Sequence, residues 1–189
     1  SWVVTANSAF TAGAINTTGE SICSGGDPGT ITSSTAASGG DGSITYQWRK
    51  GGIGIGSSNA ATFDPSIAQG AGTYTRWAKD GGTCQSSYVQ ATGSWVVTEY
   101  SAFSAGAINT TGETICDGGD PATITSSSAA SGGDGSITYQ WKKGASVLSG
   151  SNSATFDPSI AQGAGTYTRE AKDGTCNTSF TASTGSWVV

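Results

Sequence analysis

The sequence predicts an all-β protein made of two tandem β-sandwich domains, about seven strands each. Three observations lead to this fold class. Only 11% of the 189 residues are charged, 30 are glycine, and serine and threonine fill the polar set; such a chain favours strands and turns over helices. The stretch Ser-Gly-Gly-Asp-Gly-Ser-Ile-Thr-Tyr-Gln-Trp occurs twice, at Ser38–Trp48 and Ser131–Trp141, and reads as a glycine turn feeding a strand. The two halves of the chain are near copies.

In the first copy of that strand Ile44, Tyr46 and Trp48 fall on one face at period two, and Thr45, Gln47 and Arg49 on the other. Ile137, Tyr139 and Trp141 repeat the apolar face. With hydrophobic residues at 35%, any core is small and leans on its aromatics, so covalent support is expected.

The repeat fixes the domain organisation. Trp2 and Trp95, Cys23 and Cys116, and Trp48 and Trp141 are each 93 apart, while Cys84 and Cys176 are 92 apart. The missing residue falls in a turn, where Asp80-Gly81-Gly82 becomes Asp173-Gly174. Ser-Trp-Val-Val stands at Ser1–Val4, Ser94–Val97 and Ser186–Val189. Residues 1–8 therefore read as the tail of a preceding repeat, with repeats at 9–100 and 101–189. The chain lacks methionine and a signal peptide, and reads as a mature or excised piece of a longer array.

Each element of the first repeat then has a place. Phe10 to Ile22 is a linker and first strand, broken by Asn16-Thr17-Thr18-Gly19. Cys23 precedes the loop Ser24–Pro28. Thr30–Ala37 is β-rich around Ile31, and the glycine turn leads into the Trp48 strand. Arg49–Asn59 is a glycine-rich connection. Ala61–Asp64 is a short strand carrying Phe63 and stopped by Pro65. Ser66–Gly72 crosses over, Thr73–Lys79 is a strand, and a hairpin turn opens a long final strand, Thr83–Thr98, bulged near Gly93. Short strands, an inward Trp in the third and Gly-x-Tyr opening the sixth form the immunoglobulin pattern; Gly72-Thr73-Tyr74 and Gly165-Thr166-Tyr167 fit a tyrosine corner. Trp48, Trp141, Tyr74 and Tyr167 are the predicted core pins.

The cysteines depart from that pattern. Small residues near Thr35 and Ala36 and the side chain of Arg76 stand where antibody domains carry their cysteine pair. Four cysteines allow three pairings. Cys23 with Cys84 and Cys116 with Cys176 is the one that treats both copies alike. A closed loop of that size, ~60 residues, contributes roughly 4 kcal/mol in the chain-entropy model. Disulfides imply an oxidising, extracellular compartment. A four-cysteine zinc site is the weaker reading, since no Cys-x-x-Cys pair exists.

Several function classes are excluded by composition. The net charge of −5 argues against nucleic acid and anionic membrane as partners. No apolar run is long enough for a membrane span. With no histidine, Ser-His-Asp and Cys-His catalysis are unavailable. No serine or cysteine has a base beside it, so an enzyme is not expected.

Thr114-Ile115-Cys116-Asp117-Gly118-Gly119-Asp120-Pro121-Ala122-Thr123-Ile124, followed by Ser131–Trp141, Gly165-Thr166-Tyr167-Thr168-Arg169 and Asp173-Gly174-Thr175-Cys176, resembles the Ig-like, PKD-like tandem repeats of giant Bacteroidetes cell-surface adhesins. These include the gliding-motility adhesins exported by the type IX system. The resemblance implies a β-sandwich, one disulfide per repeat, and a non-catalytic stalk or adhesive role on the bacterial surface. The tryptophan in Trp95-Val96-Val97 departs from the plainer Val/Thr alternation that ends a unit of that family.

Five further sets of residues are candidates for a functional role. Asp27, Asp41, Asp117, Asp120 and Asp134 sit in glycine loops and have the oxygen chemistry for Ca2+, but Asp-Gly and Asp-Pro are turn formers in their own right; no cofactor is expected. Arg76 and Arg169 share parity with Tyr74 and Tyr167, which points them toward Trp48 and Trp141. Trp77, replaced by Glu170 in the second copy, reads as exposed, either an isolated aromatic or a contact to another chain or a sugar. Trp2, Trp95 and Trp187 read as packing where one repeat meets the next. Asn16, Asn109 and Asn177 match the N-glycosylation pattern, which arises by chance in so Thr-rich a chain.

Together these observations predict a structural and adhesive segment of a cell-surface adhesin or extracellular filament. Each repeat would span roughly 40 Å. The partners expected are neighbouring repeats, identical chains in a filament, and surface polysaccharide. The alternative is a carbohydrate-binding accessory module of a secreted protein.

Overall fold

A computed structural model describes residues 1–56, 58–82 and 84–189. The chain divides into two compact units, Ser1–Glu99 and Tyr100–Val189. Among the described residues every regular element is a strand.

The first unit contains β1 (Ala14–Ile15), β2 (Glu20–Ile22), β3 (Ser33–Thr35), β4 (Ile44–Lys50), β5 (Ile53–Gly54), β6 (Gly72–Asp80), β7 (Val89–Gln90) and β8 (Trp95–Glu99). One layer runs β2-β8-β6-β4-β5, with β7 also on β6. Its spine is the antiparallel β4–β6 pair, in register from Ile44 opposite Asp80 to Lys50 opposite Tyr74. The facing layer is β1 with β3, extended by bridges between Thr11 and Ser38 and between Ile31 and Phe63. Two layers, the larger antiparallel except where β2 joins β8, make an immunoglobulin-like sandwich.

The core lies between them. β6 alternates strictly, with Tyr74, Arg76, Ala78 and Asp80 buried and the residues between them half-buried. Trp48 is fully buried and packs with Ile15, Ile22, Ile31, Tyr74 and Val97. Phe63 reaches across from the facing layer and stacks on Trp48 at 5.5 Å. The Tyr74 hydroxyl donates to the Gly70 carbonyl at 2.6 Å, closing a tyrosine corner. A second cluster of Ala12, Ala37, Ala78 and Ala91, flanked by Phe10, Ile44 and Tyr46, fills the other half. Alanine there keeps the layers close, which explains how so few apolar residues fill the space.

The glycines of the Ser38–Trp48 stretch are required by two close approaches. Gly39 and Gly40 have φ of 85° and 65°. A Cβ on Gly39 would meet the Ala9 carbonyl, and one on Gly40 the Asp80 carboxylate.

Some elements differ from the sequence reading. The long final strand is two strands, β7 and β8; its first residue, Thr83, lies outside the described residues, as does Ser57 in the glycine-rich connection. Between β7 and β8 the chain changes partners. Thr92 leaves β6 for the facing layer, accepting from Ile15 N at 3.0 Å and donating to the Gly13 carbonyl at 2.9 Å. Gly93, at φ 92°, turns it back. Around Phe63 the pairing shrinks to one bridge to Ile31.

The second unit contains β9 (Ala107–Ile108), β10 (Ser126–Ser128), β11 (Thr138–Lys143), β12 (Ser146–Val147), β13 (Thr166–Lys172), β14 (Thr181–Ala182) and β15 (Trp187–Val188). β12-β11-β13-β14, with β15 also on β13, forms its larger layer; β9 and β10 face it. Trp141 and Tyr167 are fully buried, and Phe156 stacks on Trp141 at 5.5 Å.

Candidate functional site

Arg76 occupies the centre of the first sandwich and has no solvent exposure. It lies directly across from Trp48 on β4, yet its ring partner is Tyr46, at 5.2 Å. The guanidinium spends its donors on the facing layer. It donates to the carbonyls of Ala12 at 3.0 Å, Thr35 at 3.1 Å, Ala61 at 3.2 Å and Ala14 at 3.4 Å, and to the Ser33 hydroxyl. Burial pulls its pKa below the usual arginine value, with the nearby Tyr46 pushing back. One planar cation thus bolts the two layers together where antibody domains use a disulfide. Arg169 repeats this in the second unit, on Ala105, Ala107, Ser128, Ala154 and Ser126. There Nε donates to Ser183 Oγ at 3.0 Å; the buried Nε of Arg76, where the equivalent residue is Ala91, lacks a hydrogen-bond partner.

On the outer face the repeats differ. The Arg49 guanidinium lies 3.9 Å from the Trp77 ring centroid, and Trp77 Nε1 donates to Thr75 Oγ1 at 3.2 Å. In the second unit the same two places hold an ion pair, Lys142 Nζ to Glu170 at 2.6 Å. Trp77 is therefore half-buried under Arg49, and the Trp-to-Glu exchange is accompanied by a compensating Arg-to-Lys one.

The ends of each sandwich carry the remaining candidates. β2 pairs with β8 in parallel, Glu20 opposite Val97 and Ile22 opposite Glu99, while β8 runs antiparallel to the start of β6. Glu20 links these edges by accepting from Gly29 N at 2.9 Å and Trp95 Nε1 at 3.3 Å. Glu113 does the same for Ala122 N and Trp187 Nε1. Trp95 and Trp187 thus pack onto the cores of their own repeats, which corrects their reading as packing between repeats; the cause is the register that lays β8 beside β2 and β6, and β15 beside β13. Nothing local in the sequence marks Glu20 or Glu113, although both recur at the repeat spacing. The third copy of the motif behaves differently, with Trp2 97% exposed.

The cysteine pairing also needs correction. Cys84 and Cys116 carry exposed, free thiols, whereas Cys23 and Cys176 are disulfide-bonded. The topology explains why a repeat cannot close its own pair. Cys23 follows β2 at the end of the sheet where β6 begins. Cys84 follows Asp80, where β6 ends, beside Gln85, whose carbonyl accepts from Asp80 N at 3.0 Å. Nine residues of β6 separate these two poles by about 26 Å at a rise of ~3.3 Å per step, against the ~7 Å limit between Cα atoms of a disulfide. The second unit is built alike. Glu113 N donates to the Val188 carbonyl, with Val188 opposite Thr166 at the start of β13, which puts Cys116 near that pole; Asp173 N donates to the Asn177 carbonyl at the other, beside Cys176.

Of the five loop aspartates, Asp41 and Asp134 are engaged in turns. Asp41 Oδ1 accepts from Ser43 N at 2.8 Å. Asp80, buried beneath the glycine turn, accepts from Gly82 N at 2.6 Å and Asp41 N at 3.2 Å; the Gly82 amide, first among several donors, holds its carboxyl below the usual range. Asp134 accepts from Thr175 Oγ1 at 2.6 Å and Ser136 N at 2.8 Å, with the same downward effect, led by the Thr175 hydroxyl. Among the described residues no three His, Cys, Asp or Glu side chains converge on a metal position, and no helix is long and apolar enough to cross a membrane.

No protein-family model and no curated protein matches the chain. Solved structures do. Sidekick-1 immunoglobulin domains 1–4 match at TM-score 0.54 and 17% identity, over 94% of this chain and 48% of that one. Sidekick-1 immunoglobulin domains 1–5 match at TM-score 0.50 and 17% identity, over 93% and 39%. The chain thus spans less than half the length of these structures. At this identity the likeness shows the fold, a tandem of immunoglobulin-like domains.

Proposed function

We propose that this chain is a load-bearing segment of an extracellular adhesive fibre: tandem, non-catalytic immunoglobulin-like repeats that hold a binding end away from a bacterial surface, as in adhesins of the gliding-motility type. One observation carries this reading, the parallel pairing of β2 with β8. In the first unit the chain arrives at the pole where Ser8 accepts from Gly40 N, beside the end of β6, and leaves at Glu99, beyond its start. Tension on the two ends drives β2 and β8 past one another, so their hydrogen bonds are loaded together in shear instead of being peeled one at a time. Entry and exit at opposite poles also let every repeat add length. The second unit enters where Ser101 accepts from Gly133 N and leaves where Val189 pairs with Gly165.

The bacterial surface, the filament and surface polysaccharide as partners belong to this proposal and are favoured by the resemblance of the cysteine and Trp-strand motifs. Function as a carbohydrate-binding module is disfavoured, because such a module needs an aromatic platform in both copies. Trp77 is covered by Arg49 and has Glu170 as its counterpart.

Electron microscopy of native surface material tests the proposal. Threads with a bead about every 40 Å, the scale of a strand-length sandwich and its linker, are expected. Compact particles without periodic extension would overturn it.

A further inference from the structure

We propose that Cys84 and Cys116 form a disulfide between copies, Cys116 of one chain bonding to Cys84 of the next, so that the fibre is cross-linked covalently along its length. This goes beyond the adhesive reading and holds whatever the fibre binds.

Three observations combine. Both thiols are free and exposed. Neither can be satisfied inside its own repeat, since the two cysteine positions of a repeat lie at opposite poles, about a strand length apart. Each occupies a position that does form a bridge, because Cys23, the counterpart of Cys116, and Cys176, the counterpart of Cys84, are both disulfide-bonded. The Cys84 sulfur accepts from Asn7 Nδ2 at 3.7 Å in an exposed contact at its pole.

The oxidant is a low-molecular-weight disulfide such as oxidised glutathione. The Cys84 thiolate attacks one sulfur of that disulfide, forming a mixed disulfide and releasing one small thiolate. The Cys116 thiolate of a second copy then attacks the Cys84 sulfur, forming the Cys84–Cys116 bond and releasing the second small thiolate. The two protons lost by the cysteines end on the two small thiols, so the pair of electrons passes from the cysteines to the oxidant.

The test is controlled oxidation of the full chain, produced in an oxidising compartment, followed by non-reducing electrophoresis and peptide mass spectrometry. The wild type is expected to give a ladder of multimers that collapses on reduction. Cys84→Ser alone and Cys116→Ser alone are expected to stay monomeric. Their mixture is expected to stop at a dimer whose linked peptides contain Cys116 from one variant and Cys84 from the other. Dimers formed as readily by either variant alone would reveal indiscriminate oxidation of exposed thiols and overturn the proposal. A wild type that stays monomeric, whether with both thiols free or with them joined within one chain, would overturn it too.

Discussion

The Arg76 guanidinium lies 5.2 Å from the ring of Tyr46, buried inside the first sandwich, and forms no ion pair among the described residues. Its charge is met instead by four backbone carbonyls and a serine hydroxyl from the opposite layer. A buried cation is tolerated only when its donors are nearly all used. Here the side chain starts on β6 and its donors reach the opposite layer, so the arginine sets the spacing of the sandwich as well as its own position.

Removing that side chain strands its acceptors. Arg76→Met is expected to cost the first repeat about 3–5 kcal/mol, the range for breaking a buried charged network. Calorimetry or hydrogen exchange that resolves the two units reads the effect, with the second repeat unchanged as internal control. Arg76→Lys is expected to be destabilising too, because an ammonium cannot reproduce the planar fork. Wild-type stability in Arg76→Met would show that the network contributes nothing net.

The difference between Ala91 and Ser183 offers a gain. Ser183 Oγ accepts from Arg169 Nε and donates to the Ala105 carbonyl at 2.8 Å. Ala91→Ser supplies the same partner to Arg76 Nε and is expected to stabilise the first repeat by about 1 kcal/mol, or roughly 4–8 °C in Tm for a domain of this size. Ser183→Ala is expected to move the second repeat the other way.

Across the outer face, Arg49 with Trp77 and Lys142 with Glu170 are two solutions to one position. A double-mutant cycle on either pair is expected to return about 0.3–1 kcal/mol, the range for partly exposed pairs. Arg49→Lys combined with Trp77→Glu is expected to lie within that margin of wild type. A loss well beyond it would mean that Trp77 supports the core.

Stability against pH is expected to be flat between about 4 and 10 and to fall on both sides. Asp80 and Asp134 have folded pKa values below the ordinary carboxylate value. Their contribution is present above the unfolded value of about 4 and is lost as pH falls through the lower folded value. Tyr74 and Tyr167 have raised values, from burial first and from Glu20 and Glu113 second. Above a pH of about 10 the unfolded chain ionises these phenols before the folded one, so stability falls from there upward. Asp80→Asn is expected to flatten the acid limb of the first repeat in an acid titration followed by circular dichroism.

The Trp48 strand was legible in the sequence because periodicity, a glycine turn and a terminal Trp agree over eleven residues. The inward direction of Arg76 was equally legible from its parity with Tyr74. What Arg76 binds was not, since its carbonyl partners come from β1, β3 and their flanks and from Ala61, 15 to 64 residues away, and backbone acceptors leave no mark on composition. The cysteine pairing failed for a related reason. Matching copies show which cysteines are equivalent, but not that the two positions sit at opposite ends of β6. Trp95 was misplaced because a repeat boundary looks the same whether its Trp folds back on its own core or reaches a neighbour; the register with Glu20 decides.

The shear geometry of β2 and β8 is tested most directly by pulling the chain between its termini with a force probe in the presence of a reductant, so that the disulfide-bonded Cys23 and Cys176 do not hold back the enclosed chain. Two abrupt unfolding events are expected, each releasing about 30 nm for a repeat of some 93 residues at ~3.5 Å each, and Ser21→Pro is expected to lower the force of one of them. Smooth extension without peaks, or peaks indifferent to that change, would contradict a mechanical role for the pairing of β2 with β8.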